Sequence, residues 1–212
     1  MEKNLDNWES YFYAGTNVLK NHLGITDASL LCEKEIELTF ARQVELIENP
    51  IEGDFDAEHL KNIHYYLFQD IYPFAGQYRI VNIEKNHYGF ADYRVIQEKL
   101  DRELELMHQS SHAISSKYEF ACHLARYYSE LLAIHPFREG NGRSIREFIR
   151  EYAIEQSKKY SFGPCDFLWS NVNTEALNEN IQFSLAYRSF IELQFLNALV
   201  PLSFDEKIRV ER

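Results

Sequence analysis

The tightest constraint in this chain is the stretch His135-Pro-Phe-Arg-Glu-Gly-Asn-Gly-Arg-Ser-Ile-Arg146, set between two strongly amphipathic segments. Upstream, Phe120, Ala121, Leu124, Tyr128, Leu131 and Leu132 recur at helical spacing and make the strongest apolar face in the sequence. Pro136 disfavours helical backbone at the residue before it, so this helix ends near Ile134 and leaves the His135 imidazole on a bend. Downstream, Ile145, Phe148, Ile149, Tyr152 and Ala153 begin a new amphipathic helix near Asn141. Between the two, Gly140 and Gly142 lack Cβ atoms, so the backbone can take positive φ and turn its N–H groups toward a common centre.

Such a centre favours an anion. The first N–H groups and the dipole of the second helix face it, and Arg143 and Arg146, one turn apart, reach further oxygens. Several phosphates fit this better than one. Glu139 is a hard oxygen ligand of the kind that holds Mg²⁺ jointly with nucleotide phosphates. His135, whose ordinary pKa lies near neutrality, can accept the proton of an attacking hydroxyl. Together these residues describe nucleotidyl or phosphoryl transfer. Singly, each has a plainer reading as a helix end, a turn, a solvated face or a surface carboxylate; the joint arrangement carries the inference.

The stretch resembles the signature of Fic-domain enzymes, His-Pro-Phe-x-(Asp/Glu)-Gly-Asn-Gly-Arg-x-x-Arg, and matches it at every specified position. The resemblance implies an all-α Fic fold, a helical bundle around a central pair of motif helices with one β-hairpin flap. It implies transfer of AMP from ATP to a Ser, Thr or Tyr hydroxyl of a target protein, with release of pyrophosphate. His135 would be the general base, Glu139 the Mg²⁺ ligand, and Gly140, Asn141 and Gly142 the phosphate cradle. Arg143 and Arg146 would hold the β- and γ-phosphates, and Phe137 would pack inward to anchor the loop. Doc-like relatives, which phosphorylate their targets, carry Lys where this chain has Gly142; glycine leaves room for a phosphate against the backbone and points to AMP transfer. Transfer of UMP or phosphocholine on the same fold, or a non-catalytic nucleotide-binding module, are the alternatives, and the intact His135 and Glu139 argue against the last.

The 212 residues suffice for one sizeable core, expected as a single domain over 1–200, its centre at about 56–160, with a charged tail at 201–212. Lys plus Arg at 22 against Asp plus Glu at 33 gives a net charge of −11, which disfavours direct binding to nucleic acid or an anionic membrane. Cys32, Cys122 and Cys165 are odd in number and in no metal-ligand spacing, as in a reducing cytoplasm. Nothing resembles a signal peptide or a membrane span, so a cytoplasmic location is expected, with secretion into a host as an effector left open.

Residues 8–28 are apolar without strict period, and Asp27 precedes a helix over about 29–48 whose stripe of Leu30, Leu31, Ile36, Phe40, Val44 and Ile47 should face the core. Asp56 is the N-cap of a helix carrying Leu60, Ile63, His64, Leu67 and Phe68. His59 and His64 are expected to be structural or surface residues. Tyr78–Ile83 alternates like a short strand, and Lys85-Asn-His-Tyr-Gly89 supplies a turn, giving a hairpin over about 78–91. By resemblance this is the Fic flap, with Ile80, Val81, Asn82, Ile83 and Lys85 docking the target by main-chain pairing. Asp92 caps a helix burying Val95, Ile96, Leu100, Leu104 and Met107. His108 and His112 have a spacing that a helical metal site uses, yet Ser110-Ser111 between them favours a linker. Pro164 ends the motif helix, and two closing helices are expected over about 173–199, with Asn178 and Tyr187 as candidates for base contacts.

Many Fic proteins carry an inhibitory (Ser/Thr)-x-x-x-Glu-(Gly/Asn) helix. Ser29 to Glu33 is followed by Lys34, and Ser115 to Glu119 by Phe120, so neither satisfies that pattern. The resemblance therefore implies inhibition in trans, by a small antitoxin presenting a Glu to Arg146 as in class I Fic toxin pairs. Type II topoisomerase subunits and GTPases are the two target kinds that the family suggests.

Overall fold

The computed structural model describes residues 8–85, 88–173 and 185–202. They form two compact units, Met1–Leu104 with Leu131–Phe148 and Glu105–Glu130 with Ile149–Arg212. The architecture is helical, with six α-helices among the described residues and two small antiparallel ribbons.

In the first unit, helix α1 (Ala28–Glu48) starts where the Asp27 carboxylate accepts the Leu30 N–H at 2.8 Å. Its rotation differs from the expected one: Ile36, Phe40 and Ile47 are 60%, 65% and 63% exposed, and Leu30 and Val44 are exposed as well. The inward stripe is Leu31, Glu35, Thr39, Arg42 and Leu46, also at spacings of four and three. Polar partners decide between the two faces. Glu35 meets Arg143 and Tyr72, and Arg42 meets Asp70 at 2.8 Å, so turning the apolar stripe inward would break them. Helix α2 (Ala57–Phe68) is capped by Asp56 and buries Leu60, Ile63, His64, Leu67 and Phe68, as the sequence predicts.

The hairpin is shorter and later than its alternation suggests. Strand β1 (Glu84–Lys85) pairs with β2 (Tyr88–Gly89), in the register Glu84↔Gly89 and Lys85↔Tyr88. Residues 79–83 are not strand, and Tyr78 makes only an isolated antiparallel bridge to Phe137. Side chains take the backbone groups that a ladder would need: the Ile80 N–H donates to the Tyr11 hydroxyl, and the Val81 carbonyl accepts from Arg79.

A single 3-10 turn, Tyr93–Val95, capped by Asp92, leads into helix α3 (Ile96–Ser111), which buries Ile96, Leu100, Leu104 and Met107. It runs on through Ser110-Ser111, so the expected break comes one residue later. Helices α4 (Lys117–Ile134) and α5 (Asn141–Ser157) bracket the motif at the expected bounds.

In the second unit His123 is a packed residue, its ring nitrogens 3.5 Å from Ser110 Oγ and 3.2 Å from the Tyr152 hydroxyl. Strand β3 (Cys165–Phe167) pairs with β4 (Leu199–Pro201), a second ribbon beyond the single hairpin expected. Three-residue strands are too short to show a period. Helix α6 (Leu185–Ala198) runs directly into β4, so the strand claims Pro201 from the expected tail. Asn178, the first expected closing helix and residues 203–212 lie outside the described residues, as does the side chain of Tyr187.

Candidate active site

The site is built entirely within the first unit, from the α4 terminus, the loop 135–140 and the first turn of α5. His135 has left-handed backbone, φ 52°, which costs a non-glycine residue energy and calls for compensation. Arg79 supplies it. Its guanidinium, 1% exposed, donates to the carbonyls of His135 at 2.8 Å, Ile134 at 3.2 Å, Val81 at 2.6 Å and Ala91 at 2.5 Å. One cation thus satisfies the end of α4 and ties both sides of the flap's base to it. Burial holds the Arg79 pKa down to about 10, so it stays charged at neutral pH.

The His135 ring is stacked on Phe90, centroids 3.8 Å apart and planes 17° apart. Its Nδ1 lies 3.2 Å from the Leu132 carbonyl, which can only accept, so Nδ1 carries the proton and Nε2 keeps its lone pair. Burial first, then the positive charges of Arg79 and Lys85, push its pKa down to about 4, against an opposing contribution from the Leu132 bond. The ring is therefore neutral at pH 7.

Phe137 is fully buried and stacked on His64, centroids 3.8 Å apart. His64 staples the loop: its Nδ1 accepts the Gly76 N–H at 2.8 Å, so its Nε2–H donates to the Glu139 carbonyl at 3.0 Å. Burial pushes the His64 pKa down to about 4, as an acceptor inside a core requires. Asn141 clasps the same loop from the other side, its Oδ1 accepting the Phe137 N–H and its Nδ2 donating to the Phe137 carbonyl, both at 2.8 Å. The Asn141 side chain is thus committed to the loop through both its Oδ1 and its Nδ2.

The two glycines differ. Gly140 has φ 78°, and a Cβ there would lie 2.2 Å from the Phe68 ring. Gly142 is an ordinary first-turn helical residue, and a Cβ there would meet only the Arg146 guanidinium, at 3.4 Å. The expectation of positive φ holds at the first and fails at the second, because α5 has already begun.

The three motif arginines go to different places. Arg138 leaves the anion centre altogether: its guanidinium sits over the rings of Trp8, Phe12 and Tyr11, at 4.6, 5.2 and 5.5 Å, and holds the N-terminal segment to the loop. Arg143 lies over the Phe68 ring at 4.7 Å, pairs with Glu35 and donates to Thr39 Oγ1 at 3.3 Å. Arg146 stands one turn further along α5, its guanidinium by Gly142.

Glu139 is 44% exposed, with its Oε1 3.0 Å from the Gly140 N–H and 3.9 Å from Arg143 Nη2. Among the described residues no three His, Cys, Asp or Glu side chains cluster. The residues present fit a cation that draws its remaining ligands from substrate phosphates and water, and do not fit an all-protein metal site.

Of the expected flap residues, Ile80 and Val81 use an N–H and a carbonyl within the chain, Asn82 Oδ1 accepts the Tyr93 N–H at 3.0 Å, and the Ile83 carbonyl accepts the Phe90 N–H at 3.2 Å. Lys85 lies in β1. Sequence reasoning missed the parts played by Arg79, His64, Phe90, Glu35 and Tyr72. A single arginine inside an alternating apolar run is the one signal that could have exposed Arg79; the others carry no local signal, because their partners lie far away in sequence.

The Fic/DOC family profile matches residues 54–153, from just before the α2 cap to near the end of α5. Protein adenylyltransferase VbhT of Bartonella schoenbuchensis is 40% identical over 141 residues, covering 66% of this chain and 30% of that protein. A probable protein adenylyltransferase Fic of Salmonella typhimurium is 30% identical over 167 residues, 78% of this chain and 82% of that protein. Among solved structures, the Bartonella tribocorum effector BepC with bound AMPPNP superposes with a TM-score of 0.80 at 23% identity, covering 92% of this chain and 98% of that one, and so shares the fold. No helix among the described residues is long and apolar enough to cross a membrane. With its complete motif, its helix–loop–helix geometry and these relatives, the chain belongs to the Fic/DOC family.

Proposed function

We propose that this chain is a protein adenylyltransferase that moves AMP from ATP to a hydroxyl side chain of a target protein. The observation that carries the reading is the His135 ring. Its Nδ1–H is spent on the Leu132 carbonyl, which leaves Nε2 as the basic nitrogen; the ring is neutral at pH 7, and it begins the loop that leads into the N-terminus of α5. In the reaction the target hydroxyl gives its proton to Nε2 while its oxygen attacks the α-phosphorus. The new O–P bond forms as the bond to the bridging oxygen breaks, and pyrophosphate leaves with that electron pair. The N–H groups at 141–143 and the guanidinia of Arg143 and Arg146 receive the phosphates, and Gly142 lets them approach the backbone. Glu139 would hold Mg²⁺ against the phosphates, where it supplies neutralising charge for the leaving group.

The target segment would lie along the flap. With the inner groups of 80–83 engaged within the chain, pairing falls chiefly to the edge around Glu84–Lys85, beside His135. A small antitoxin that presents a Glu to Arg146 is the proposed restraint, supported by the exposed apolar stripe of Ile36, Phe40 and Ile47, which suits a protein partner. The target class, a topoisomerase subunit or a GTPase, and the cytoplasmic location are parts of the same proposal.

The products test the chemistry. With ATP, Mg²⁺ and a bacterial lysate, AMP transfer releases pyrophosphate and the His135→Ala variant releases none. Release of ADP with the γ-phosphoryl group left on the target would instead make this a kinase-like member, and an equal yield from His135→Ala would rule out His135 as the base.

A further inference from the structure

We infer that Glu35 is a positioning residue for nucleotide binding, which, together with Tyr72 and Thr39, fixes the Arg143 guanidinium in the orientation that receives the β- and γ-phosphates. This rests on the proposed reading that Arg143 binds phosphate. The resemblance that identifies the motif says nothing of residue 35, which lies more than a hundred positions upstream of the arginine it meets.

Arg143 is held on three sides. Its Nη2 pairs with Glu35 Oε1, its Nη1 donates to Thr39 Oγ1 at 3.3 Å, and its plane lies over the Phe68 ring at 4.7 Å. The Thr39 hydroxyl gives its own proton to the Glu35 carbonyl oxygen at 2.7 Å, so its oxygen is turned to accept. Glu35 is fixed in turn, because its second carboxylate oxygen accepts the hydroxyl of Tyr72, itself 2% exposed. The order is therefore Tyr72 to Glu35 to Arg143. Two of five guanidinium N–H groups serve these contacts, leaving three for phosphate oxygens.

A carboxylate on a phosphate-binding arginine could instead be a competitor that must leave before ATP enters. The geometry points the other way. Both Glu35 oxygens have partners, the side chain is only 15% exposed, and it belongs to the inward stripe of α1 between Leu31 and Leu46. To withdraw it would have to give up both partners, Arg143 and Tyr72. A fixed carboxylate of this kind removes the rotamer freedom that a long arginine would otherwise lose on binding. Phe68 links the clamp to the motif, since the ring under Arg143 is the one that only glycine at position 140 accommodates.

The test compares calorimetric titration of AMPPNP with Mg²⁺ and of AMP alone into the unaltered protein and the Glu35→Ala, Tyr72→Phe and Arg143→Ala variants, with thermal melts of each. Positioning predicts that Glu35→Ala weakens AMPPNP by about tenfold or more, approaching Arg143→Ala, while AMP binds as before. Tyr72→Phe, which leaves the ion pair in place, weakens AMPPNP by a smaller factor in the same direction and decides the matter if Glu35→Ala does not fold. AMPPNP binding unchanged or tightened in Glu35→Ala, with Arg143→Ala weak, overturns the inference alone. Equal loss of AMP and AMPPNP also overturns it, as a purely structural effect. If Arg143→Ala binds AMPPNP like the unaltered protein, the phosphate role of Arg143 fails and the inference fails with it.

Discussion

His135 is a residue under local strain with its surroundings arranged around it. Pro136 announces in the sequence that the helix must stop, yet not that the stop is left-handed; that depends on Arg79, 56 positions away, taking the freed carbonyls. The glycines show the same limit. Both look like turn formers, but Gly140 has φ 78° against the Phe68 ring while Gly142 is helical and a Cβ there would meet only the Arg146 guanidinium, at 3.4 Å. Gly140→Ala is expected to lower unfolding free energy by roughly 2–4 kcal/mol through positive φ and overpacking. Gly142→Ala should cost less than about 1 kcal/mol, since the helix tolerates alanine well, and should instead weaken ATP binding. Denaturant unfolding paired with nucleotide titration separates the two. Phosphates arriving beside His135 should also raise its pKa from about 4, which ring-carbon NMR shifts with and without AMPPNP would report.

At the scale of elements, the helices with buried apolar stripes were legible, with Asp56 at the cap of α2 and α4 and α5 meeting the motif where Pro136 and Gly140 dictate. Two elements were not. Helix α1 carries two stripes of helical period, and the polar residues that select the inward one, Glu35 and Arg42, find their partners on distant segments. Burial then makes a direct contrast: Leu46→Ala should cost about 2–4 kcal/mol, whereas Phe40→Ser, 65% exposed, should stay within about 0.5 kcal/mol. The flap misled for a related reason. Its alternating run wraps the buried Arg79, so backbone groups that read as a ladder are held by side chains. Replacing Arg79 by Met should cost roughly 3–5 kcal/mol, because four carbonyls lose a charged donor and some stay buried without one. Hydrogen exchange should then show faster opening of residues 80–85 and 88–91 and of the end of α4.

For the molecule as a whole, the acidic composition, the family motif and the helical class were all present in the sequence, whereas the second ribbon depends on a pairing too short to leave a pattern. Its response to acid follows from three histidines, His64, His123 and His135, each held near a pKa of about 4 chiefly by burial. Their folded pKa values lie below the ordinary 6.5, so as pH falls through that value the unfolded chain takes up protons first. Stability is therefore full above about pH 6.5 and declines as pH drops toward 4, which urea midpoints measured at successive pH values would display. Whether His135 drives AMP transfer is read by following the phosphorus itself. The protein and its His135→Ala variant are incubated with Mg²⁺, a bacterial lysate and ATP labelled at either the α- or the γ-phosphorus. AMP transfer by His135 puts α-label on a protein hydroxyl, adds no γ-label beyond that of the lysate alone, and loses the α-label in the variant; γ-label alone, or α-label that survives His135→Ala, would refute it.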